Sequence, residues 1–117
     1  MSFDSGKLRD RTMMGVTPEE AARGLAAAGA DVIGANCGQG IDGYLTLCQR
    51  LRKATSLPLW LKPNAGLPQL VNGRAVYQET PSAFASQIPP LVKAGAHFIG
   101  GCCGTTPDFV RAIRDVL

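Results

Sequence analysis

Two ten-residue stretches of the sequence align without a gap: GADVIGANCG at 29–38 and GAHFIGGCCG at 95–104. Each follows a segment that opens with Thr-Pro, and each runs from apolar residues into glycine and cysteine. Thr-Pro marks a helix start: threonine caps the free N–H groups, and proline at the first helical position sacrifices no hydrogen bond. Each copy therefore reads as a helix followed by a strand. Strands separated by helices pair in parallel through right-handed crossovers. Buried strands resemble one another through apolarity alone, but burial does not ask for a cysteine and a glycine at the same place in both copies.

The rest of the chain fits between and around these units. TPEEAARGLAAAG (17–29) predicts a helix with Thr17 as N-cap, Pro18 at the first position, Glu20 closing a capping box and Gly29 ending it. Its apolar stripe is Ala22, Leu25 and Ala26. DVIGANC (31–37) is a buried strand, IDGYLTLCQRLRKAT (41–55) a helix with Leu45, Cys48 and Leu51 inward, and LPLWLKPNAG (57–66) a strand stopped by Pro63. The NGR of LPQLVNGRAVYQE (67–79) is suited to a small hairpin. Thr80 and Pro81 open a third helix, with Phe84, Ile88, Leu91 and Val92 on one side. Pro89 and Pro90 must kink it or split it, because proline removes a helical hydrogen bond and clashes with the turn before it. HFIGGCC (97–103) is a third strand, and TPDFVRAIRDVL (106–117) a last helix capped by Thr106. The fold class is α/β, with parallel strands alternating with helices and near-continuously apolar strands covered on both faces.

The chain has 117 residues, 45% hydrophobic and 18% charged, which suits one compact domain. No apolar run approaches the roughly 20 residues that span a bilayer. MSFDSGKLRD lacks the layout of a signal peptide, so a cytoplasmic location is expected. The net charge of +3 is dispersed, and its densest group, RLRK at 50–53, falls on an expected solvated helix face. Aromatic residues are few and not interleaved with basic ones, so no nucleic-acid surface is expected.

The four cysteines are Cys37, Cys48, Cys102 and Cys103. Without a secretion signal, metal binding or thiol chemistry is favoured over a disulfide framework. Cys37, Cys102 and Cys103 fall at the carboxyl ends of strands, where parallel α/β folds bind ligands. Three thiols meeting there suit a borderline cation, most commonly zinc. Successive strand residues point to opposite faces, so Cys102 and Cys103 can share an ion only where the strand has ended or bulged between them. Gly100, Gly101 and Gly104 supply that freedom. Three ligands leave one tetrahedral position open, as in catalytic zinc sites. Cys48 is a possible fourth ligand, but its mid-helix apolar position reads better as a buried structural cysteine. His97, at the opposite end of its strand, reads as a surface or satisfied histidine. An open thiolate site suits a thiol substrate, which makes alkyl transfer to sulfur the expected reaction class.

GANCG, GGCCGTTP, KPNAGLP (62–68) and the opening MSFD, in this order, resemble the homocysteine S-methyltransferase family. The closest likeness is to the homocysteine-binding module of cobalamin-dependent methionine synthase. The resemblance implies a (β/α)8 TIM barrel in which Cys37, Cys102 and Cys103 bind Zn2+ and the homocysteine sulfur becomes the fourth ligand. It implies methionine as product and methylcobalamin, S-methylmethionine or betaine as methyl donor. Asn36 and Asn64 are candidates to bind substrate or orient groups around it, or to cap their own turns. No catalytic residue separate from the metal site is implied.

The family barrel is longer than this chain, which resembles its C-terminal half. MSFD matches the tail of the fifth strand, making residues 1–117 a single partial homocysteine-binding domain. The family's pocket for the substrate amino and carboxylate groups is not represented. A half-barrel exposes strand edges and an inward face, so a homo-oligomer or a separate N-terminal half-barrel is expected as partner. A cobalamin or folate module would be a further partner. Two other readings stand beside methyl transfer: a non-catalytic zinc-binding or assembly subunit, and a thiol redox protein using the vicinal cysteines.

Overall fold

In a computed structural model describing all residues 1–117, five helices and five strands succeed one another along the chain. They are α1 (Pro18–Ala27), β1 (Ile33–Cys37), α2 (Tyr44–Ala54), β2 (Leu59–Pro63), β3 (Gln69–Val71), β4 (Arg74–Val76), α3 (Pro81–Ser86), α4 (Ile88–Lys93), β5 (Phe98–Ile99) and α5 (Pro107–Asp115). The main sheet has the order β1-β2-β5 with both pairings parallel. β3 and β4 form the small antiparallel hairpin that the NGR sequence predicts. No helix is long and apolar enough to cross a membrane.

The strand register decides which side chains share a face. Ile33 lies beside Leu59, Ala35 beside Leu61, and Cys37 beside Pro63, while Trp60 and Leu61 lie beside Phe98 and Ile99. Ile33, Ala35, Leu59 and Leu61 are buried with Cys48, Leu51, Phe84, Ile88 and Leu91 from the helices. Alternation sends the intervening residues to the opposite face. Trp60 and Phe98 there remain 48% and 50% exposed, with ring centroids 6.1 Å apart and the Lys62 ammonium 5.0 Å from the Trp60 ring. The expectation that strands are covered on both faces therefore holds on the helix side only. One face carries the core and the other is open. Along the outer edge of β1, the Met1 ammonium donates to Gly34 O at 3.0 Å and Met1 O accepts from Asn36 N at 2.9 Å.

Helix boundaries obey local chemistry. Thr17 and Glu20 form a reciprocal capping box, with Thr17 N donating to Glu20 Oε2 at 2.8 Å and Glu20 N to Thr17 Oγ1 at 3.2 Å. Thr80 caps α3 through Ala83 N at 3.2 Å, whereas the Thr106 hydroxyl makes no cap bond to α5. The prolines split the third helix at Gln87, with Pro89 at the start of α4, where a missing N–H is harmless. That break rephases the helix, so Ile88 and Leu91 are buried but Val92 faces solvent. Leu45 is likewise exposed: α2 starts at Tyr44 and buries Tyr44, Cys48 and Leu51, and Leu45 is turned off that stripe. The third strand narrows to Phe98–Ile99 because the glycines divert the chain.

Arg50 departs from the solvated face expected for RLRK. Its Nε and second terminal nitrogen grip Glu19 at 2.7 and 2.8 Å, and its other nitrogen reaches Asp10 at 2.7 Å. This fork ties α2 to α1 and to the N-terminal loop. The Arg50 guanidinium holds the Glu19 carboxyl at about 2, far below its ordinary 4.5. A carboxylate depressed on folding stabilises the fold above its unfolded pKa and loses that contribution as pH falls through the folded one. Replacing Arg50 with methionine is expected to cost about 1 kcal/mol near pH 7, a figure that allows for partial solvent screening of the pair. The same change should remove the part of the acid destabilisation of the parent chain that falls between pH 4.5 and about 2. Urea unfolding of both proteins across that range checks it.

Candidate metal centre

The parallel register delivers three cysteines to one end of the sheet. Cys37 ends β1, and Cys102 and Cys103 lie just beyond β5, on the far side of β2. β2 is the bridge: Cys102 N donates to Pro63 O at 2.9 Å, and Asn64 N to Cys37 O at 3.4 Å. Cys37 adopts φ +64°, left-handed backbone that costs a non-glycine residue about 1–3 kcal/mol. Its carbonyl is held by the Tyr44 hydroxyl at 2.9 Å, which also reaches Lys62 O at 3.4 Å. Burial pushes the Tyr44 phenol far above its ordinary range, so it remains a donor.

Cys102 to Thr105 form a turn closed by Thr105 N on Cys102 O at 3.2 Å, and the Thr105 hydroxyl donates to the same carbonyl at 2.7 Å. The turn separates Cys102 from Cys103 in direction without separating their sulfurs. Sγ of Cys37 and Cys102 are 3.1 Å apart, those of Cys102 and Cys103 3.9 Å, and all three lie within 4.8 Å of one another. Tetrahedral zinc with bonds of about 2.3 Å sets its sulfurs about 3.8 Å apart. The Cys102–Cys103 spacing already fits, and the Cys37–Cys102 spacing must open by a fraction of an ångström. Three thiols are also the right donor chemistry for zinc.

The short contact polarises the pair. The hydrogen bond from the Cys37 thiol pulls the Cys102 pKa down, helped by the Cys103 N–H and opposed by burial. The same bond, with burial, pushes Cys37 up, although Asn36 Nδ2 donates to its sulfur at 3.1 Å. The contact thus favours a thiolate on Cys102 over one on Cys37.

Of the two asparagines singled out from the sequence, Asn36 touches the Cys37 sulfur. Asn64 is 8% exposed and both ends of its amide meet backbone: Nδ2 donates to Gly38 O at 2.8 Å, and Oδ1 accepts from Cys103 N at 3.0 Å. It spans the two cysteine loops. Ala65 N adds a bond to Cys103 O at 2.9 Å. Cys48 is fully buried in α2, its thiol directed at Leu91 O at 3.9 Å, away from the other three. His97 is at the other end of β5, where its Nδ1 accepts from Leu59 N at 3.3 Å. Sequence reasoning missed Tyr44. Its only signal is a bulky polar-tipped aromatic opening the helix that comes after GANCG.

Parallel β/α units carrying a rim of three thiols define a thiol-site α/β protein built on part of a (β/α)8 barrel. The chain belongs to the homocysteine S-methyltransferase family, whose family model matches residues 1–117. It is 37% identical over 86 residues to methionine synthase of Mycobacterium leprae and 35% identical over 86 residues to that of Mycobacterium tuberculosis. Both alignments cover 73% of this chain and 7% of the relative. The fold also matches crystal structures of the homocysteine methyltransferase MmuM from Escherichia coli. The apo form gives a TM-score of 0.71 at 27% identity over 92% of this chain and 36% of MmuM. The metallated form gives 0.66 at 28% identity over 86% of this chain and 30% of MmuM. The chain thus spans about a third of MmuM and a small fraction of the methionine synthases.

Two outcomes are expected from this geometry. In metal-free chain, iodoacetamide should label Cys102 at lower pH than Cys37, because the alkylation rate depends on thiolate fraction. Cys37→Ala should move the Cys102 midpoint upward, and peptide mass mapping across pH 6–10 reads both (a range set about the ordinary thiol pKa of about 8.5). Asn64→Ala should cost about 2–4 kcal/mol in urea unfolding, since it leaves Gly38 O and Cys103 N without their partner. A loss under about 0.5 kcal/mol would mean that water replaces the amide at both sites.

Proposed function

We propose that residues 1–117 form a partial homocysteine-binding domain in which Cys37, Cys102 and Cys103 hold zinc for methyl transfer to the homocysteine thiol. The observation that carries this reading is the meeting of three sulfurs within 4.8 Å on one rim of a parallel sheet. Family membership and the metallated form of MmuM support it. Zinc bound there supplies Lewis acidity that keeps a thiol in its open position as a thiolate near neutral pH.

The chain's residues prepare that position. Metal binding takes ligand thiols as thiolates and releases their protons, and the lowered pKa of Cys102 eases that loss. Asn36 donates to the Cys37 sulfur and would contact substrate bound beside it. Asn64 keeps the two loops in register. In the transfer, the homocysteine S–H proton is released to solvent and a new S–CH3 bond forms. The bond from methyl to its donor breaks, the donor leaves with the electron pair, and the product is methionine. Methylcobalamin, S-methylmethionine and betaine are all donors of the right kind, and a cobalamin or folate module would reside on other domains.

The open sheet face around Trp60 and Phe98 supports a partner. A second copy or an N-terminal half-barrel would cover it and supply the pocket for the amino acid end of homocysteine. A cytoplasmic setting would keep the thiols reduced. A second reading, thiol redox chemistry, draws on the 3.1 Å contact, which favours Cys37 and Cys102 as the oxidisable pair over the vicinal cysteines.

Purified chain is expected to hold one zinc, lost in Cys37→Ser, Cys102→Ser and Cys103→Ser, by elemental analysis. Methionine formation from homocysteine and each of the three donors should be weak or nil alone and appear when an N-terminal half is added. A metal-free protein that cycles reversibly between dithiol and disulfide would overturn this in favour of the redox reading. One stable zinc with no activity in any combination would leave a zinc-binding assembly subunit.

A further inference from the structure

The turn bearing Cys103 carries an aromatic ring against its backbone. Gly104 sits at the third position of the turn with φ +79°, which glycine adopts without strain. A Cβ built on Gly104 would lie 2.3 Å from Tyr77 Cγ, 2.4 Å from Cδ1 and 2.7 Å from Cδ2. The flat of the Tyr77 ring therefore rests on the turn, in space that any side chain at 104 would need. Residues 67–76 and Gln78 are exposed, whereas Tyr77 between them is half-buried and packed against the core.

We propose that Tyr77 is a positioning residue for Cys103. A turn with two glycines close by, Gly101 and Gly104, has backbone freedom to lose. Asn64 and Ala65 fix the Cys103 backbone from the β2 side. The Tyr77 ring packs on Gly104 and holds it in its left-handed conformation. The Cys103 sulfur, on the most exposed of the three cysteines, is thereby kept within reach of the other two. The contact is made by ring carbons, so phenylalanine serves equally. The metal-binding consequence rests on the reading of the three cysteines as ligands, and the conformational one does not.

The experiment uses the 117-residue chain with Tyr77→Phe, Tyr77→Leu and Tyr77→Ala. Zinc affinity is measured by competition with a chromophoric chelator, and cobalt(II) reports the thiolate charge-transfer band. Amide hydrogen exchange at Cys103, Gly104 and Thr105 is monitored without metal, and circular dichroism tracks folding. Tyr77→Phe should match the parent within about twofold, while Tyr77→Ala should lose about 10–100-fold in zinc affinity and weaken the cobalt band. Tyr77→Leu, which keeps apolar bulk but no flat face, should fall between and decides the matter if the alanine variant unfolds. Exchange at the turn should rise about tenfold in the alanine and leucine variants and not in Tyr77→Phe. Folded variants lacking the ring that keep both parental affinity and parental exchange would overturn the proposal. If the parent binds neither zinc nor cobalt, the metal reading falls and the exchange measurement alone judges Tyr77.

Discussion

The parallel pairing of β1 with β2, extended on the far side by the residues after Ile99, is the constraint on which the site depends. Cys37 and Cys102 are 65 positions apart in the chain, and neither sulfur is brought to the other by local structure. Both are indexed to β2: Cys37 lies beside Pro63, and Cys102 donates to the Pro63 carbonyl. A one-residue slip in either pairing would turn the paired side chains to the other face. Burial of Ile33, Ala35, Leu59 and Leu61 under the helices forbids that slip, so the core sets the position of the thiols. Pro63, the last residue of β2, has no N–H to donate, and the bonds beyond it, Asn64 N to Cys37 O and Ala65 N to Cys103 O, tie the two cysteine loops to β2.

The site concentrates local costs that this frame absorbs. Cys37 occupies left-handed backbone, and Gly38 after it has φ +77°. Two consecutive positive φ values swing the chain sharply at the rim and aim the Cys37 sulfur across β2. Tyr44 and Asn64 hold the resulting carbonyls, each reaching from a different element. The unequal acidity of Cys37 and Cys102 has the same origin: at 3.1 Å the two sulfurs share a thiol proton, which lowers the pKa of Cys102 and raises that of Cys37. Such a pair is poised to exchange that proton for a cation, since a metal neutralises the charge that the contact otherwise shares.

Much of the frame is legible in the sequence, and the reason is the strength of its punctuation. Thr17, Pro18 and Glu20 announce a helix by hydrogen bonds they make with one another, and Pro89 announces a break by the one it cannot make. The three rim cysteines stand out because glycine flanks them and burial does not require them. What stays hidden depends on contacts between distant segments. Nothing local says that Arg50 finds Glu19 and Asp10, that Leu45 falls outside the stripe of α2, or that the Tyr77 ring lands on Gly104. Asn64 is conspicuous in the sequence because it comes after Pro63 at a strand end, but its use as a brace between two loops exists only once three strands are side by side.

The geometry also separates two tasks that a complete barrel would merge. Every bond that shapes the thiol rim comes from within these residues: Asn36, Tyr44, Pro63, Asn64, Ala65 and Thr105 supply them all. The side chains of Trp60, Lys62 and Phe98, on the open face behind the rim, contribute none of them. On the proposed reading, gripping a cation would therefore ask only for groups within these residues. On the same reading, holding the rest of an amino acid substrate would ask for walls on the uncovered side, where Trp60 and Phe98 are half exposed. Metal affinity would then be a property of this segment, and selectivity for substrate a property of whatever closes the sheet.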